Sequence, residues 1–155
     1  MADATATILG ALIGFLGGLI VARYTFRQKA DELFLSGLQY LAGGSQQRNL
    51  GIAALRLAWE SKRHQKHIAP LVVGSAIYLL QESKQEDAAH EVNNLQRLMK
   101  LVFDAKREGA LTDEDRASVV TAIEAKLKIG PRNSPGLFVK EEDLKTWQKH
   151  FGGDA

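Results

Sequence analysis

No cysteine occurs anywhere in the chain, and prolines, tryptophans and histidines are few. Without thiols there is no disulfide framework, no thiolate nucleophile and no sulfur-ligated metal site. The motifs that announce common chemistries are missing as well: no GxGxxG after a strand, no P-loop, no HExxH and no GxSxG. Strand-type alternation is absent except across Leu137-Phe138-Val139. These gaps argue against catalysis, against a resident cofactor or metal, and against a sheet. A helical protein that is not an enzyme is the expectation.

Charge is missing from one long stretch. Ala4 to Ala22 reads ATATILGALIGFLGGLIVA and holds no charged residue and no proline; Asp3 and Arg23 bound it. Nineteen residues of helix span roughly 28 Å at about 1.5 Å each, close to the ~30 Å hydrocarbon core of a bilayer. Three readings apply: a transmembrane helix, a buried core helix and a cleaved signal peptide. The signal peptide wants a basic leader that the chain does not have. A core helix in a small domain rarely needs so long an uncharged run. The expectation is therefore a transmembrane anchor over 4–22. Within it Ala6, Gly10, Gly14, Gly18 and Ala22 recur at every fourth position and form a ridge of small residues on one side of a helix. Such ridges let two backbones approach closely, which predicts self-association through these five residues.

The net charge of +2 is small, but its distribution is uneven. From Arg23 to His67 there are eight Lys or Arg against three Asp or Glu, and from Gln81 to Ala117 six against nine. The basic excess begins with Arg23, Arg27 and Lys29 beside the apolar run. On the positive-inside rule this predicts an N-terminus outside and a cytoplasmic C-terminal domain. Tyr24 and Phe26 fit an interfacial aromatic belt, so Arg23, Tyr24, Phe26, Arg27 and Lys29 form the expected membrane-interface set, with membrane lipids as partners. Exposed aromatics are not interleaved with the cations beyond this pair, so nucleic acid is not an expected partner.

The remainder is patterned as helices. Arg23 to Ala42 places Ala30, Leu33, Phe34, Leu38 and Leu41 on one face, and Gly43-Gly44 ends it, with Ser45 as the next cap. Gln46 to Glu60 is apolar on most sides, which predicts burial of Leu57 and Trp59. Ser61 to Lys66 is a polar, basic linker. Pro70 suits the first turn of a helix reaching Glu82. Its uncharged part, Ile68 to Leu80, has the length of a core helix rather than a second span. Gln85 to Glu108 carries Ala88, Val92, Leu95, Met99 and Val102 in steps of four and three, an a/d seam. Thr112 with Asp113, Glu114 and Asp115 opens a helix directing Val120, Ile123 and Leu127 inward and ending at Gly130-Pro131. After the PRNSPG linker, Lys140 to Phe151 aligns Leu144, Trp147 and Phe151.

Isolated polar groups have ordinary explanations. His64 and His67 stand among cations that would repel a metal. His90-Glu91 reads as a solvated pair, Asp113-Glu114-Asp115 as a helix start, and Trp59 and Trp147 as core anchors.

The segment LSGLQYLAGGSQQRNLGIAALRLA, through Leu38, Leu41, Gly44, Ser45, Arg48, Gly51, Ile52, Ala54 and Leu55, resembles a HEAT-like helical hairpin of membrane-tethered bacterial proteins, pentapeptide-repeat ones among them. Pentapeptide repeats themselves are absent, and Gln47 stands where the pattern usually has Val. The string GALTDED from Gly109 is similar to short two-helix modules that follow membrane or coiled regions. Both resemblances imply protein contacts.

The expected architecture is all-α: a transmembrane anchor over 4–22, a cytoplasmic helical-bundle or HEAT-like domain over 23–130, and a linker with a short C-terminal helix over 131–155, about five helices after the anchor. The expected function is a single-pass interaction or scaffold protein. It self-associates through the small-residue ridge into a homo-oligomer and contacts an unidentified protein partner. The alternative is a subunit of a small oligomeric membrane channel or pore.

Overall fold

A computed structural model describes residues 2–83 and 88–152, with side chains described from Gly14 onward and not at residue 88. Among the described residues the secondary structure is six α-helices without a strand: α1 (Ala2–Leu41), α2 (Ser45–Glu60), α3 (Gln65–Gln81), α4 (Ala88–Arg107), α5 (Asp113–Ile129) and α6 (Glu141–Gly152). α3 is the centre. It packs against α2, α4 and α5, and α6 closes on α5. α1 rests on α2 alone as its main neighbour.

The transmembrane expectation is corrected. Among the described residues, no helix is long and apolar enough to cross a membrane. α1 runs unbroken through Arg23, Arg27 and Lys29. The single-pass localisation, with the N-terminus out and a cytoplasmic domain, falls with the span. The side chains of Ala6 and Gly10, and of the rest of 4–13, lie outside the described residues.

The C-terminal third of α1 docks on α2. Ala30, Gly37 and Leu41 are buried there, with Leu33 and Phe34 partly so. The docking depends on close backbone approach. A Cβ on Gly51 of α2 would stand 2.6 Å from the backbone nitrogen of Leu41 and 3.0 Å from the carbonyl oxygen of Gly37. No rotamer change relieves contact with backbone, so this crossing takes glycine.

Several local expectations change in the tertiary context. Gly44, not Ser45, is the N-cap of α2, and the Gly44 backbone N–H donates to Gln47 Oε1 at 3.2 Å. Pro70 lies inside α3, which begins at Gln65. Trp59 is buried as expected, but Leu57 is exposed, because α1, α3 and α4 cover only part of the circumference of α2. The seam of α4 is not free for association: Leu95, Met99 and Val102 are fully buried in the core. The inward side of α5 is Val119, Ala122, Ile123 and Lys126, while Val120 and Leu127 are only partly buried. Leu137-Phe138-Val139 is irregular chain; Leu137 and Val139 are buried, and the Leu137 N–H donates to the Leu79 carbonyl at 3.1 Å.

Other expectations hold. Thr112 caps α5, its hydroxyl accepting from the Asp115 N–H at 3.0 Å while Asp115 accepts from the Thr112 N–H at 3.2 Å. On α6, Leu144, Trp147 and Phe151 are buried together.

Candidate functional site

The expected interface set lies on the part of α1 that projects beyond α2. Every described residue from Gly14 to Lys29 is exposed. Leucine, isoleucine and aromatics are included: Phe15, Leu16, Leu19, Ile20, Val21 and Tyr24 are more than half exposed, and Phe26 reaches 78%. Gly14, Gly17 and Gly18 have open space where a Cβ would be. At about 100° per residue, Gly18 sits roughly 140° from Arg23 and 180° from Arg27 around the helix. The ridge of Gly14, Gly18 and Ala22 and the arginine pair therefore occupy different sides of α1.

The arginine side faces the α2–α3 turn. Arg23, Phe26, Arg27 and Ala30 of α1 and Ser61 and Arg63 of the turn line a cleft of about 680 Å³. The turn is held from several directions. Ser61 Oγ donates to the Ala58 carbonyl at 2.6 Å, the Lys62 N–H donates to Trp59 O at 3.0 Å, and Gln65 Nε2 donates to Trp59 O at 3.3 Å. Lys62 adopts a left-handed backbone, φ 59°, uncommon for a residue with a long side chain. Arg63 meets Asp31 of α1 at 3.2 Å, and His64 Nε2 lies 2.6 Å from the other Asp31 oxygen. The His64 ring stacks on Phe34, centroids 4.6 Å apart. His64 is thus a link between the turn and α1. Among the described residues, no group of histidines and acids is arranged to hold a metal.

Two buried charges escaped the sequence reading. Glu91, 3% exposed, is not a solvated partner of His90. It pairs with Arg48 of α2 and accepts from Asn94 Nδ2 at 3.1 Å, while Arg48 Nη2 donates to Gly43 O at 3.2 Å. Periodicity does not reveal this pair, because its members are 43 residues apart.

Lys126, 2% exposed, donates to Leu80 O at 2.9 Å and Pro135 O at 2.8 Å, binding the end of α3 to the 131–140 segment. In the same segment Gly136 has φ +83° and lies so close to the Leu80 carbonyl that a Cβ would collide with it. Burial lowers the Lys126 pKa from 10.5 to about 8. Below pH 8 the folded and unfolded chains both carry the proton and the desolvation cost stands. Between about 8 and 10.5 only the unfolded chain keeps it, so stability rises with pH across this window. Urea unfolding at pH 7 and pH 10 is expected to show a gain on the order of 2 kcal/mol for the parent relative to Lys126→Met. Parallel pH profiles would show that the amine is not desolvated.

Comparison with known proteins finds no matching family, no matching curated protein and no matching solved structure.

Proposed function

We propose that this chain is a helical interaction module, not an enzyme, that pairs with a second copy of itself through the projecting part of α1. The observation carrying this reading is the bare ridge of Gly14, Gly18 and Ala22 flanked by exposed Phe15, Leu19 and Val21. Chains that stay monomeric rarely leave so continuous an apolar surface in water. A ridge repeating every fourth residue is self-complementary, as a two-fold interface requires. The ridge side also carries no acid that would select a basic partner; the nearest acid after Gly14 is Asp31.

The energetics are adequate. Full burial of a Phe, Leu or Val side chain is worth about 1.5–3 kcal/mol. Three from each copy supply on the order of 10 kcal/mol, comparable with the roughly 4–15 kcal/mol lost on association. The hairpin of α1 and α2 holds the residues that resemble a HEAT-like hairpin, and this supports a contact-making role for an additional protein partner.

Sedimentation of the purified full chain over a concentration series tests the pairing. The parent is expected to dimerise. Gly18→Leu, which separates the two backbones, is expected to weaken the dimer about tenfold or more, the equivalent of roughly 1.4 kcal/mol. Leu57→Ser, at an exposed site on α2, serves as the control and is expected to leave it unchanged. A monomeric parent, or equal affinities in all three proteins, would remove the ridge from the interface.

A further inference from the structure

We propose that the cleft between α1 and the α2–α3 turn binds a soluble phosphate compound of the pyrophosphate class, a compact ligand carrying two or more negative charges. Three guanidinium groups from two separate elements line it: Arg23 and Arg27, one helical turn apart on α1, and Arg63 on the turn. Arg23 and Arg27 have no hydrogen-bond or ion-pair partner among the described residues. Like charges at this spacing repel, and a third cation across the cleft adds to the repulsion. The acid paired to this group is Asp31, which is also engaged by His64. One carboxylate against three guanidiniums leaves an excess of two positive charges.

The chemistry of the lining selects the ligand class. Guanidinium presents paired N–H donors that match phosphate oxygens bidentately. A single carboxylate ligand would compensate only one cation, whereas a pyrophosphate group offers two charged centres. Ser61 stands at the wall as a hydroxyl, and Phe26 as an exposed aromatic face beside the arginines. The volume of about 680 Å³ falls within the usual range for small-molecule sites, roughly 300–1,000 Å³. The left-handed backbone at Lys62 ends α2 just after its C-cap Ser61 and sets the turn that brings Arg63 to α1.

Calorimetric titration of the full chain with pyrophosphate at constant ionic strength is the test. Binding tighter than about 1 mM is expected. Arg27→Gln should weaken it about tenfold, the loss of one charge-assisted hydrogen bond, and Arg63→Gln similarly. Arg27 has no partner among the described residues to lose, so its variant is expected to melt like the parent, and a loss of affinity there reports on the site itself. Lys128→Gln, which removes a charge on α5, is expected to leave the affinity unchanged. Absence of pyrophosphate binding, or an equal loss in Lys128→Gln, would overturn the proposal. Binding confined to long oligonucleotides, or to vesicles containing phosphatidylinositol phosphates, would overturn it too, by assigning the cations to a different partner.

Discussion

Trp59→Ala is expected to destabilise the chain by about 3–5 kcal/mol. Trp59 is 4% exposed in the core shared by α2, α3 and α4, and its indole N–H points to Glu108 Oε1 at 3.5 Å. Truncation removes the largest side chain of α2 and leaves a cavity that rigid helices fill only in part. For a chain of this size the loss corresponds to a fall in melting temperature on the order of 10 °C. The effect should reach beyond the core. The Trp59 carbonyl accepts from both the Lys62 N–H and Gln65 Nε2, so a shift of the helix end disturbs the turn that carries Arg63. Thermal unfolding measures the first consequence. A melting point unchanged by the substitution would place Trp59 outside the core.

Glu91→Ala is expected to cost a similar amount, about 3–5 kcal/mol, for an electrostatic reason. The substitution removes the counter-ion of Arg48, whose side chain is largely enclosed between α2 and α4 near the Tyr78 ring, 5.8 Å from its centroid. The guanidinium would keep only its bond to Gly43 O, and the Asn94 amide only its bond to Ser45 O. A buried charge left without its partner costs more than the intact pair contributes. The double variant Arg48→Met with Glu91→Leu is therefore expected to recover most of the stability. Chemical denaturation of the parent, the single variants and the double variant closes the cycle. If Glu91→Ala and the double variant were equally unstable, the loss would come from packing and not from the uncompensated cation.

The residues of this chain specify their local structure well wherever the signal is short-range. Thr112 and Asp115 satisfy each other across one turn, and the cap forms as their spacing implies. Leu144, Trp147 and Phe151 share a face by helical geometry alone and are buried together. Helix type is equally local, which is why the all-α class follows from composition and period without knowledge of the packing.

Tertiary structure decided which side of each helix is inside and how the charges are paired. Leu57 and Trp59 are both apolar on one helix, yet only Trp59 is covered, because neighbours enclose only part of the circumference of α2. Lys126 is buried where Leu80 O, 46 residues away, and Pro135 O, nine residues on, accept its protons. Gly14 and Gly18 stand out in sequence by their repeat, whereas Gly51 does not; the structure leaves the first two open and gives Gly51 the tight crossing with α1. The long apolar run lies within the continuous helix α1, the helix type its sequence implied. What that helix faces is a property of the neighbours brought to it: α2 on its C-terminal third, an arginine-lined cleft at its middle, and open space at the described positions before that.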